Sequence, residues 1–111
     1  MKKGLVLFCI IVNTIYLNAQ TIATVKYKSQ ANFTVFVVKY QSQADLLVYK
    51  VEHKSQANEN KGLWFFTELS SQANKNIFFV DYKSQAELKV FFVDYKSKAG
   101  WKNTSKKHLL Y

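Results

Sequence analysis

A chain of 111 residues with no proline, no arginine and one cysteine has room for a single domain and none for a disulfide framework. Three glycines leave no Gly-rich loop to cradle a phosphate. Sixteen lysines against seven acids set the formal charge at +9, which suits anionic partners. The absence of arginine, the residue suited to bidentate recognition of phosphate and guanine, stands against specific reading of nucleic acid.

Residues 1–19 read as a secretion signal. Lys2 and Lys3 precede an apolar run from Gly4 to Leu17, and Ala19 supplies the small residue before a cut. The run is shorter than the roughly 20 apolar residues a membrane span needs, and Asn13 interrupts it. Cys9 follows the bulky Phe8, unlike a lipidation site, and leaves with the signal. The expected product is a secreted or periplasmic domain starting at Gln20, with fourteen lysines against seven acids (+7) and no disulfide.

Residues 20–101 repeat one short phrase. The marker Ser-Gln-Ala occurs at Ser29-Gln30-Ala31, Ser42-Gln43-Ala44, Ser55-Gln56-Ala57, Ser71-Gln72-Ala73 and Ser84-Gln85-Ala86, and again with one change at Ser97-Lys98-Ala99. The serines are 13, 13, 16, 13 and 13 residues apart, and the long interval holds extra residues around Gly62. Two, four and six residues before the serine stand Tyr82, Val80 and Phe78, then Tyr95, Val93 and Phe91, and earlier Tyr40, Val38 and Phe36. Alternation of β-branched and aromatic residues predicts a strand in every copy, with this face and its tyrosines in the core. The other face starts apolar (Ile77 and Phe79, Val90 and Phe92) and ends charged (Asp81 and Lys83, Asp94 and Lys96), which predicts cross-strand ion pairs at the wet end. The spacing of Ser42 to Asp45 and Ser84 to Glu87 matches a capping box, so each marker is expected to form one tight helical turn. The alanine is placed where a larger side chain would collide, and the glutamine where it can tie one turn to the next.

The expected fold is therefore all-β and single-domain: six short strands in repeats of about 13 residues, joined by tight turns, with residues 102–111 as a basic C-terminal tail. Copies such as "VKYKSQA" and "VFFVDYKSQA" resemble the septoil knot domain family over roughly residues 21–101. That resemblance implies a compact, deeply knotted backbone with seven crossings and no established activity. Two features depart from the pattern. The fourth copy has Thr67 and Leu69 where others have Val and Tyr, and the tail lies outside the repeat.

Catalytic chemistry finds no constellation. His53 takes the tyrosine position of its copy, where it is expected to pack as an aromatic substitute, and His108 sits among tail lysines. Neither has the spacing of a metal site or a triad, and no nucleophile elbow surrounds any serine. The expectation is a non-enzymatic structural or binding module, monomeric, with no cofactor, metal or small-molecule substrate. Lys28, Lys54, Lys83 and Lys96 recur between strands and are expected as a ring on one rim, for weak contact with anionic polymers or a membrane surface.

Overall fold

A computed structural model describes residues 20–111, so the expected secretion signal lies outside the described residues. Seven strands form: β1 (Thr21–Thr24), β2 (Phe33–Val37), β3 (Leu46–Lys50), β4 (Leu63–Phe66), β5 (Lys75–Phe79), β6 (Leu88–Phe92) and the two-residue β7 (Gly100–Trp101). Each of the first six ends five residues before its marker serine. All six are parallel and close into a barrel in the order β4-β1-β5-β2-β6-β3, with β3 pairing back to β4. The fold is all-β, as the repeat predicts.

The core lies on the face that sequence alone ranks second. Seven residues before each serine stand Ile22, Val35, Val48, Trp64, Ile77 and Val90, and every one is 0% exposed. Neighbouring strands are offset by two residues at each interface, so that Ile22 pairs with Lys75, Ile77 with Phe33, Val35 with Leu88 and Val90 with Leu46. An even offset keeps inward residues opposite inward residues, and a uniform one holds the six residues at one level. Burying such a side chain is worth about 1.5–3 kcal/mol. The ladder closes with one bond per strand: the amides of Val25, Val38, Val51, Thr67, Val80 and Val93 donate to the carbonyls of Ile77, Val90, Trp64, Ile22, Val35 and Val48 at 2.8–2.9 Å.

The tyrosines are not in this core. Tyr27, Tyr40, Tyr82 and Tyr95 are 63–67% exposed, and His53 is exposed in the same place. The phase of the alternation explains the difference. The ladder stops four residues before the serine, and the tyrosine two residues later already lies beyond it, at the N-cap of a 3-10 turn. The outer face is covered in part by the turns themselves. Val38, Leu47 and Val93 pack with Phe36, Phe91 and Ala44, while Val51 and Leu63 pack with Tyr49 and Ala57. Ala57 is wholly buried and Ala44 nearly so.

The path of the chain follows from the strand order. β7 pairs antiparallel with the start of β3, through Leu46 and Leu47, while the end of β3 pairs with β4. Its Trp101 indole donates to the carbonyl and the side chain of Asn60, just before β4. β7 thus occupies a seventh place wedged between β3 and β4. Counting β4, β1, β5, β2, β6, β3 and β7 as seven places in a ring, every connection advances by two. The chain circles the barrel twice, and the second winding fills the gaps left by the first. Four of the 3-10 turns cross the strand they skip: the turn after β1 lies on β5, that after β4 on β1, that after β5 on β2 and that after β6 on β3.

The tail belongs to the domain. A 3-10 helix at Thr104–Leu110 carries Leu110 into the barrel core, with Leu109 packed beside it, and Gln20 Nε2 donates to the Leu110 carbonyl. This seals the end from which the strands start. The longer third connection, between β3 and β4, allows the wedge: Gly62 has φ +87°, and a Cβ there would run into the Leu47 carbonyl.

Candidate binding surface

The six markers form 3-10 turns: Lys28–Gln30, Gln41–Gln43, Lys54–Gln56, Ser70–Gln72, Lys83–Gln85 and Lys96–Lys98. The serine and glutamine of every marker (Ser29, Gln30, Ser42, Gln43, Ser55, Gln56, Ser71, Gln72, Ser84, Gln85 and Ser97) are exposed, while Ala31, Ala73, Ala86 and Ala99 are half-buried beneath them.

The capping-box reading is corrected by the bonds. Tyr40 and Tyr82, not Ser42 and Ser84, hold the N-cap positions, with no side-chain cap. Of the glutamines, Gln56 turns back on its own turn, where its Oε1 accepts from the His53 amide at 3.1 Å. The acid three residues after the serine reaches across to a neighbouring strand. Asp45 Oδ2 accepts from the Lys89 amide at 2.9 Å, and Glu87 Oε1 accepts from the Thr34 amide at 3.2 Å. Asn32 and Asn74 do the same for the amides of Asn76 and Thr21. In each case the backbone amide of the reaching residue donates to the neighbouring strand's carbonyl, so the turn is clamped by a two-bond bracket. The signal was present in the sequence, since a polar residue with a side-chain acceptor follows five of six markers.

Lys28, Lys54, Lys83 and Lys96 are all exposed, each at the first residue of its turn. They do not make an even ring. The turns bearing Lys28 and Lys83 lie over the neighbouring strands β5 and β2, and those bearing Lys54 and Lys96 over the neighbouring strands β4 and β3. Two lysine pairs therefore sit on separate sides of the barrel, and an exposed tyrosine precedes Lys28, Lys83 and Lys96. Asp81, Lys83, Asp94 and Lys96 form no cross-strand ion pair; among the described residues the ion pair is Lys61 with Glu59, at 3.5 Å on the surface. The charges of the turns are thus left to solvent or to a partner.

Beside Lys96 lies a shallow cleft of about 500 Å³, lined by Lys61, Leu63, Lys96, Ser97 and Ala99. It joins two ammonium groups and a hydroxyl over an apolar floor. Lys61 is the member that sequence reasoning passed over, because it lies in the extra residues of the long interval. His53 stands on the turn over β4, and His108 Nδ1 lies 3.0 Å from the Ser105 carbonyl in the tail helix. No three His, Cys, Asp or Glu side chains gather among the described residues.

The family model of the 7(1) septoil knot domain matches residues 19–102. No curated protein and no solved structure matches the chain.

Proposed function

The chain belongs to the septoil knot domain family, and on that fold we propose a non-enzymatic module that binds extended anionic polymers through its outer belt of turns. One observation carries the reading: tyrosines left 63–67% exposed, set next to lysines on a framework clamped by the brackets. Four large aromatic side chains turned to water at equivalent positions serve no packing purpose, whereas a flat ring suits stacking on a sugar or a base. The adjacent ammonium groups supply attraction without directional selectivity, as the absence of arginine requires. Two lysine–tyrosine faces on separate sides favour a partner long enough to touch both, which adds avidity without any strong single contact. The expected setting is outside the cytoplasm, in keeping with the secretion-signal reading of residues 1–19.

Binding of the full chain to heparin and to mixed-sequence single-stranded DNA, measured between about 50 and 200 mM salt, tests the proposal. Affinity should fall steeply with salt through counterion release and ignore base order. Replacing Tyr82 and Lys83 by Ala should weaken it. Retention at high salt, preference for one base sequence, or no binding at low salt would sink the reading.

A further inference from the structure

The repeat is interrupted once, and the interruption builds the cleft beside Lys96. At Ala31, Ala44, Ala73 and Ala86 the next strand starts two residues after the marker alanine. After Ala57 the chain instead runs through residues 58–62 before β4 begins at Leu63. This loop is held in place. Asn60 is buried; its carbonyl and its Oδ1 each accept from the Trp101 indole at 3.1 Å, and its Nδ2 donates to the Lys107 carbonyl at 3.0 Å. Glu59 has φ +66°, the one non-glycine residue in the left-handed region among the described residues, a conformation that persists only where its surroundings enforce it. Lys61 follows Asn60 directly, and Trp101 stands three residues after the turn Lys96–Lys98. The two walls of the cleft are therefore tied together through one indole.

At about 500 Å³ the cleft falls within the roughly 300–1,000 Å³ of small-ligand sites. It is open to solvent, which suits one unit of a longer chain better than an enclosed molecule. Leu63 and Ala99 form the floor, Lys61 and Lys96 supply ammonium groups, Ser97 supplies a hydroxyl, and no acid lines it. The acids nearest in sequence are Glu52, Glu59 and Asp94, against Lys54, Lys61, Lys96 and Lys98. Glu59 reaches Lys61 at 3.5 Å, but the two side chains are 53% (Lys61) and 68% (Glu59) exposed. An exposed pair of this kind is weak, so an anion in the cleft can replace Glu59 at little cost.

We propose that this cleft anchors the anionic polymer by taking a tetrahedral monoester, sulfate or phosphate, carried on a sugar of a polysaccharide. The proposal rests on the polymer reading and adds the unit that is recognised. The three terminal oxygens of such an ester meet donors from three side chains. A planar carboxylate offers two oxygens and is matched best by the guanidinium fork that this chain lacks. The phosphodiesters inside a nucleic-acid strand also leave only two free oxygens, so they gain less here. The C–H face of the sugar rests on Leu63 and Ala99, a contact that bare sulfate cannot make.

The test titrates the full chain at low salt with glucose 6-sulfate, glucose 6-phosphate, glucuronate and inorganic sulfate, following backbone amide shifts by NMR. Both esters should move Lys61, Leu63, Ser97 and Ala99 and saturate as one site, the tighter of the two naming the natural ester. Glucuronate and inorganic sulfate should bind about tenfold more weakly or worse, the scale of one lost charged hydrogen bond. Lys61→Met and Ser97→Ala should each weaken the esters, and Glu59→Gln, which frees Lys61, should tighten them. Tyr82→Ala with Lys83→Ala should weaken heparin and leave the esters unchanged. Ester binding at the cleft without any heparin binding would sink the polymer reading and leave a site for the free sugar ester. Shifts spread over all the lysine turns, glucuronate binding as tightly as the esters, or no effect of Lys61→Met would overturn the cleft even where heparin binds.

Discussion

Whether a side chain is buried here depends on its distance from the marker serine more than on its hydrophobicity. Val90 and Tyr95 are five residues apart in one copy, yet the first is 0% exposed and the second 63%. Replacing Trp64 by Ala should therefore cost about 3–5 kcal/mol, the range for a large buried aromatic. Tyr95→Ala should stay within about 0.5 kcal/mol, as surface changes do. Urea melts of the two variants check both, and a large loss for Tyr95→Ala would contradict the exposed belt. Phe91, half-buried on the outer face, belongs below the range of Trp64. Period two was legible in the sequence, but which of two apolar faces turns inward was not. Phe78 and Val80 look as fit for a core as Ile77 and Phe79. The closure of the barrel decides, because only the inward face meets five other strands. Asp45 shows the same limit at a polar position. Read as a cap, it is a hub, 5% exposed, accepting from the Lys89 amide, from Asn103 Nδ2 and, at its carbonyl, from the amides of Lys102 and Asn103. Asp45→Ala should cost about 1–3 kcal/mol by leaving buried donors unmet, while Asp81→Ala, exposed and outside every bracket, should be near neutral.

At the scale of the element, the tight turns were legible and their clamps were not. The marker's small residue and polar pair announced a 3-10 turn, but the partner of the bracketing residue lies 44 or 53 residues away. No local pattern names it. Ala57 sits under its turn at 0% exposure, so Ala57→Leu should destabilise by about 1–3 kcal/mol through overpacking. Lys54→Ala in the same turn should change little. The tail is the element the repeat misled about most. Ten residues rich in lysine read as a solvated appendage, yet its helix delivers Leu110 to the core at 3% exposure. Leu110→Ala should cost about 2–5 kcal/mol, measured by thermal or urea unfolding. An effect below about 0.5 kcal/mol would mean that the tail merely rests on the barrel.

At the scale of the whole molecule, near-identical copies hide their own topology, because any copy is chemically fit to pair with any other. What selects the double winding is reach. Each connection passes over one place in the ring, and only the longer third interval spans the place that β7 later fills. Strands adjacent in the barrel are consequently distant in sequence: Ile22 meets Lys75 on one side and Phe66 on the other. Loop closure must be met before such contacts give any return, so folding should be slow. The usual chemical causes of a slow phase are missing. The chain has no proline to isomerise, and its single cysteine, Cys9, precedes the domain. What remains is passage of the second winding through the gaps of the first, or association. Refolding of the full chain from urea, followed by tryptophan fluorescence across a tenfold range of concentration, separates them. Passage predicts a phase of roughly seconds or longer with a rate independent of concentration, and association predicts a rate that rises with it. Chains freshly made by cell-free translation should fold more slowly still, since a denatured chain can keep part of its winding. A single millisecond phase, the same for both preparations, would show that the interleaved order forms without any threading step.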